Sequence, residues 1–262
     1  MKMPYDVYVI GLGVSLPEHL TTQAVDTMAS CCKLFSIVQE PLAQWLPPEK
    51  KGKVEVINLL DSYVDGSIRM ENYNRAAEMV LTASGDGRPV GYVTYGNPMA
   101  YDSVAQLIVR RASEFGRSAR VVPGISSLDS ILCDIQVDMA PAIQVFEASW
   151  MMAFEIVPRV DTHVILVQMG SFGSYRAHYD RRQDGGSLTR LVDHLASVYP
   201  KEHRVSLVRS TASGAHPEKI SSFTLERLSE ATAEELSGAS LYIPALRQPT
   251  PNPEMLTELE AT

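Results

Sequence analysis

Short apolar runs closed by glycine or proline alternate with stretches whose apolar residues recur every three or four positions, and this alternation fills the first half of the chain. Val7 with Tyr8–Ile10 forms the first run and stops at Gly11-Leu12-Gly13, predicting a buried strand and a glycine turn. Thr21 or Thr22 is placed to cap a helix with Ala24, Val25, Met28 and Cys32 on one face. Leu34–Val38 and Val54–Leu60 predict two further strands, with Pro47-Pro48 breaking the chain between them. Tyr73, Ala76, Ala77, Val80 and Leu81 keep helical spacing up to Gly85-Asp86-Gly87, and Val90–Tyr95 is the next strand. Val104, Leu107, Ile108, Ala112 and Phe115 mark the clearest helix, with Gly116 as its C-cap. Strand and helix in alternation predict a mostly parallel sheet covered by helices.

The second half opens at Ala119–Val122, and the boundary between two domains is placed near Ser118–Val122. Ala142–Phe146, Val164–Met169, Arg204–Arg209 and Ser240–Ile243 predict strands, and Leu188, Leu191, Val192, Leu195 and Val198 predict a helix. Polar connections at Ser171–Ser187 and Ser210–Glu218 favour antiparallel pairing here. The expected division is therefore 1–119, an α/β domain with a substrate-facing loop; 120–246, a second α/β domain; and 247–262, a flexible tail. The length of 262 residues suits two domains.

A net charge of −8 disfavours a nucleic-acid partner, because phosphate binding needs a concentrated positive field. Arg110, Arg111, Arg117 and Arg120 cluster near the clearest helix, but without interleaved aromatics they read as a solvated face. No apolar run approaches the roughly 20 residues that span a bilayer, and no cleavage site follows the first residues. Three cysteines, Cys31, Cys32 and Cys133, give neither a disulfide framework nor a zinc pattern. The expectation is a cytoplasmic protein with no membrane partner and no metal.

Four segments are candidates for chemistry. Gly11-Leu12-Gly13 follows a strand, where glycines bring backbone amides close to a nucleotide-like ligand, but Leu16 stands where a dinucleotide loop has its third glycine. A tight turn explains those glycines equally well. Tyr95-Gly96-Asn97-Pro98-Met99-Ala100-Tyr101 sits after a buried strand, where open α/β sheets bind ligands, and two tyrosines flank its small residues. Pro123-Gly124-Ile125-Ser126-Ser127 is a similar turn in which either serine can cap the next helix. Tyr63-Val64-Asp65-Gly66-Ser67-Ile68-Arg69-Met70-Glu71-Asn72-Tyr73 encloses a glycine loop ahead of a helix. Packing of Tyr73 and solvation of Arg69 are the plain alternatives.

In this order the motifs resemble the tetrapyrrole methylase superfamily, the class III S-adenosylmethionine-dependent methyltransferases. VYVIGLG is similar to their first strand and turn, YGNP to their second glycine loop, and VPGISS to the segment that opens their second domain. YVDGSIRMENY, VPGISSLDSILCDIQVD, FEAS, ILVQMG and LYIP further resemble the borosin peptide backbone N-methyltransferases. Departures exist: Val14-Ser15-Leu16 replaces the third glycine and acidic residue of many tetrapyrrole methylases, and Asn97 stands where the borosin group has histidine.

The resemblance implies a two-domain α/β fold, with an N-terminal mostly parallel sheet, a C-terminal mixed sheet, and the cofactor in a cleft between them. It implies S-adenosylmethionine as methyl donor, S-adenosylhomocysteine as product, and no metal. It places Gly11, Gly13, Tyr95, Asn97, Met99, Ala100, Tyr101, Ser126, Ser127, Gln168, Ser210 and Ser240 in the donor site, and Tyr63, Arg69 and Tyr73 in the catalytic site. Fungal members carry their substrate as a C-terminal extension, whereas this sequence ends shortly after LYIP. The expectation is therefore the split bacterial kind, with a separate precursor peptide, a homodimer, or a heterotetramer with the precursor.

The residue types suit that chemistry. An amide nitrogen is a poor nucleophile because its lone pair is delocalised into the carbonyl. Methylating it needs a donor on the carbonyl oxygen and an acceptor for the N–H proton. Arg69 offers a permanent charge and a planar fork of donors, and Tyr63 and Tyr73 suit the second task or orientation of the amide. Two alternatives stay open: methylation of a corrinoid or sirohaem precursor or another small molecule, and a silent subunit that holds a peptide or nucleotide.

Overall fold

The computed structural model describes residues 4–39, 41–85, 88–177, 185–210 and 219–260. Asp86 and Gly87, residues 178–184 and 211–218 of the two polar connections, and the last two residues lie outside the described residues. The chain forms two compact units that divide at Gln136–Val137, and segments beginning at Ser174 and Ser210 belong to the first.

The first unit is built on β1 (Val7–Gly11), β2 (Lys33–Ser36), β3 (Glu55–Asn58), β4 (Val90–Thr94) and β5 (Ala119–Val122). All pairings are parallel, in the order β3-β2-β4-β1-β5. Its helices are α1 (Thr22–Ser30), α2 (Arg69–Ala83), α3 (Ser103–Arg111) and α4 (Ser127–Ile135). β1 reads as an unbroken apolar run because both its faces are covered. Val7 and Val9 join one core with Phe35, Ala76, Tyr92 and Ile108; Tyr8 and Ile10 join another with Ala24, Met28 and Leu34.

Several boundaries differ from expectation, each for a local reason. β5 does not open a second domain: it pairs with β1 and completes the first sheet. α1 begins under a Thr21 cap as expected but ends at Ser30, where Cys31 turns extended, so Cys32 lies beyond its apolar face. β3 is an edge strand limited to Glu55–Asn58, and the apolar Leu59 and Leu60 enter a 3₁₀ turn instead. α2 extends back to Arg69, a full turn before the first expected apolar position. Gly116 does terminate the α3 segment, in the left-handed conformation with φ 64°.

The second unit carries β6 (Ile143–Glu147), β7 (His163–Val167), β8 (Arg204–Arg209), β9 (Lys219–Thr224) and β10 (Ser240–Ile243), in the order β6-β7-β10-β8-β9. Only β6–β7 is parallel, so the expected antiparallel pairing holds for the rest. Its helices are α5 (Ala148–Ala153), α6 (Gly185–Ala196), α7 (Ala233–Leu236) and α8 (Pro253–Glu260). One core gathers Leu166, Leu188, Leu191, Leu207 and Leu241. The expected tail contains α8, whose residues are all exposed.

In the first unit, the turns after β1, β4 and β5 close on one another at the carboxyl ends of the strands. Gly13 N–H donates to Gly96 O at 3.3 Å, and Gly96 N–H returns a bond to Gly13 O at 2.9 Å. A Cβ on Gly124 would stand 2.3 Å from Gly96 O and 2.7 Å from Gly13 N; one on Gly11 would stand 2.4 Å from Gly96 O. These contacts are with backbone, which cannot swing aside. Gly124→Ala is therefore expected to lower stability by roughly 2–3 kcal/mol, read from the urea midpoint at unchanged slope. An unchanged midpoint would show that the turns are loosely packed.

Candidate active site

Tyr63, Arg69 and Tyr73 are brought together by the link between β3 and α2 and by the first turns of α2. The 3₁₀ turn over Leu59–Ser62 delivers Tyr63, whose N–H donates to Leu60 O at 3.1 Å. Arg69 and Tyr73, at i and i+4 on α2, share a helix face. The rings of Tyr63 and Tyr73 lie 6.2 Å apart, inclined at 59°.

Two braces fix this loop. Asn72, fully buried, accepts from Val64 N–H at 3.0 Å and donates to Val64 O at 3.2 Å. Its side-chain oxygen also accepts from the Arg75 guanidinium at 3.0 Å. The other brace is a short antiparallel pairing of the loop with residues 174–177. Gly66 N–H donates to Ala177 O at 2.7 Å, Ala177 N–H to Ser67 O at 2.9 Å, and Arg69 N–H to Tyr175 O at 2.8 Å. Arg176 Nη1 donates to Gly66 O at 2.8 Å, and Arg69 Nη2 donates to Ser174 O. The Arg69 guanidinium is thus held by carbonyl oxygen from a segment more than a hundred residues away.

Burial pushes the Tyr73 phenol above its ordinary value. The Arg69 cation and a hydrogen bond from it pull the other way, and the Asp102 carboxylate raises it again. Burial prevails, so Tyr73 is a protonated phenol at neutral pH. Tyr92 of β4 is fully buried and donates to Asp102 Oδ2 at 2.9 Å. Burial first and Asp102 second push its phenol well above the ordinary range. Asp102 Oδ1 also accepts from Ala105 N–H at 2.9 Å, capping α3. Sequence reasoning missed Tyr92 and Asp102, since one reads as another apolar strand position and the other as an ordinary cap. The available signal was a phenol at the centre of a buried strand, whose hydroxyl needs a partner.

The expected donor-site residues have mixed surroundings. Tyr95, 38% exposed, accepts from Gln39 N–H at 3.2 Å. Asn97 Oδ1 accepts from Met99 N–H at 2.9 Å, so its side chain closes its own turn. Met99 and Tyr101 are exposed, Ala100 lies between them, and Tyr101 has φ 65°. Ser126 forms a capping box with Asp129 and is occupied by that task, while Ser127 begins α4. In the second unit Gln168 follows β7 with φ 64°. Ser240 opens β10 alongside the end of β7, given that Leu241 pairs with Leu166. Ser210, directly after β8, has a buried hydroxyl without a hydrogen-bond partner among the described residues. On the expected solvated basic face, Arg111 is instead ion-paired, meeting Glu78 at 3.0 Å and Glu114 at 3.3 Å.

A family model described as tetrapyrrole (corrin/porphyrin) methylases matches residues 6–229. A methyltransferase and ribosomally synthesized cyclic peptide dendrothelin A precursor from Dendrothele bispora is 28% identical over 98% of this chain and 62% of its own length. The corresponding omphalotin A precursor from Omphalotus olearius is 25% identical over 96% of this chain and 60% of its own. The chain thus spans about 60% of the length of these curated relatives. Among solved structures, the methyltransferase CobJ superposes with a TM-score of 0.64 at 17% identity, covering 94% of this chain and 97% of its own. Uroporphyrin-III C-methyltransferase from Thermus thermophilus gives 0.58 at 20% identity, covering 93% of each. These two share the fold.

Asn72→Ala removes the buried amide that bonds both Val64 N–H and Val64 O and accepts from Arg75. The expected cost is about 1–2 kcal/mol in denaturant unfolding, with faster amide exchange over 64–69. Wild-type exchange in that loop would show that the 174–177 pairing suffices alone.

Proposed function

We propose, from the premise that this chain belongs to the tetrapyrrole (corrin/porphyrin) methylase family, that it is an S-adenosylmethionine-dependent methyltransferase acting on backbone amide nitrogens of a ribosomal precursor peptide. One observation carries the peptide reading: an anchored guanidinium beside a protonated phenol, with a second phenol 6.2 Å from the first, centroid to centroid. That set matches what an amide needs and a carbon nucleophile of a tetrapyrrole does not. The names of the dendrothelin A and omphalotin A relatives, each joining a methyltransferase to a cyclic peptide precursor, support the same substrate class.

The first unit fits the methyl donor. The glycine turns after β1, β4 and β5 pack backbone against backbone at the carboxyl ends of the strands, where open α/β sheets bind ligands. Gly11, Gly13, Tyr95, Met99, Ala100 and Tyr101 are the residues of this unit assigned to hold it. When bound, S-adenosylmethionine supplies a methyl group already activated by its sulfonium.

The remaining work falls to the chain. Arg69 has five N–H donors; Ser174 O takes one, and others are assigned to the substrate carbonyl oxygen. Tyr73, holding its proton, donates to the same oxygen. As charge grows there, the lone pair returns to nitrogen. Tyr63, whose ring lies 6.2 Å from that of Tyr73, is assigned to accept the N–H proton. The rate should fall at alkaline pH as Tyr73 loses its proton, above the ordinary phenol value because of its burial. Trp150 and Phe154, exposed with rings 4.2 Å apart, give the second unit an apolar patch that supports a homodimer.

Arg69→Ala, assayed with a precursor peptide supplied in trans, is expected to lose about 100- to 1000-fold in methyl transfer while its affinity for S-adenosylmethionine stays within about twofold. Arg69→Lys restores little, since a point charge lacks the planar fork. Full activity in Arg69→Ala would overturn the amide mechanism.

A further inference from the structure

Tyr175 stands in the middle of the segment that braces the Arg69 loop, yet the brace makes no use of its side chain. Ser174 Oγ accepts from Arg176 N–H at 3.0 Å and fixes the turn. Arg69 then holds the segment twice: its backbone N–H donates to Tyr175 O at 2.8 Å, and its Nη2 donates to Ser174 O. All these bonds go to backbone or to Ser174, so alanine at 175 would brace the loop equally well. The position instead carries a ring that is 63% exposed, more than any other tyrosine among the described residues. A large aromatic side chain held in water on a fixed backbone is what recognition surfaces use, since it offers contact area at a small loss of conformational entropy.

The pairing also settles the face on which the ring stands. Ile68 and Arg176 are cross-strand partners. Successive side chains of such a pair alternate between faces, so Arg69 and Tyr175 leave it together on the other face. The carbonyl that receives Nη2 belongs to the peptide link just before Tyr175, which puts that nitrogen within roughly 6 Å of Tyr175 Cα by bond and hydrogen-bond lengths. Resting on the peptide-methylation reading above, we propose that Tyr175 is a specificity-determining residue: its ring packs against an apolar side chain next to the amide that is methylated. The chemistry of that neighbour follows from the two groups it meets. A cationic side chain would be repelled by the Arg69 guanidinium, and an anionic one would pair with Arg69 and take it from the substrate carbonyl. An uncharged, apolar side chain leaves Arg69 usable and gains by covering the exposed ring.

The test is an internal competition. A blocked peptide carries two cassettes, glycine-leucine-glycine and glycine-serine-glycine, separated by prolines, and a second peptide carries them in reverse order to cancel position. After incubation with labelled S-adenosylmethionine, tandem mass spectrometry gives the ratio of label on amides beside leucine to label on amides beside serine. The wild-type protein should favour leucine about tenfold. Tyr175→Ala should bring the ratio to about twofold or less, and Tyr175→Phe should keep it, since the ring and not the hydroxyl makes the contact. Amide exchange over 64–69 should stay as in wild type in Tyr175→Ala, because the brace is built from backbone; a structural role would move the exchange and leave the ratio. A wild-type protein without leucine preference, or a preference retained in Tyr175→Ala, would overturn the proposal. If the wild-type protein labels neither cassette, the methylation reading is what fails, and calorimetry with separate leucine and serine peptides decides this one. Tighter binding of the leucine peptide that is lost in Tyr175→Ala supports it, and equal or absent binding overturns it.

Discussion

A helix start is the least favourable place on a helix for a cation, because the free N–H groups of the first turn already present positive charge. Arg69 is the first residue of α2, and no side chain caps that end. Its guanidinium stays there because it has somewhere else to bond: the Ser174 carbonyl on one side and the Tyr73 phenol on the other. The rest of the site depends on this arrangement. The loop that carries Arg69 is braced by Asn72 from within and by residues 175–177 from outside, so the guanidinium needs little reordering before use. In the proposed reaction, a site built this way would gain its effect from order fixed at folding.

Side chains around the glycine turns divide between folding and recognition. Ser126 is consumed by its capping box and Asn97 by its own turn, so neither hydroxyl nor amide is idle. Their task is to set the backbone of the loops after β5 and β4. Tyr95, Met99 and Tyr101 are exposed on those same loops and are the groups suited to meet a ligand. Asp102, the cap of the next helix, also accepts from the buried Tyr92 hydroxyl, which ties the start of α3 to the core of the sheet.

The core strands of the first sheet were legible because burial on both faces leaves an uninterrupted apolar signature, as in Val7–Ile10 and Val90–Val93. The left-handed stop at Gly116 was legible for a stereochemical reason. The beginning of α2 was not, since Arg69, Met70 and Glu71 have no apolar period and only tertiary bonds from 174–177 fix the start. β9 escaped notice because Ser221 and Ser222 stand at its centre, where Ser222 pairs with Ser206 at 2.8 Å. That Tyr63, Arg69 and Tyr73 lie near one another was legible from their motif, but the Tyr92–Asp102 pair was not. Asp102 lies 29 residues beyond Tyr73 in sequence, and its second contact is visible only in three dimensions.

The central claim is that this arrangement activates a backbone amide. The most direct test is tandem mass spectrometry of a precursor peptide incubated with the purified protein and isotopically labelled S-adenosylmethionine. Fragment ions that carry the label on backbone nitrogen, at defined positions, are the result predicted here. Label confined to side chains, or label carried by a tetrapyrrole and never by the peptide, would contradict it.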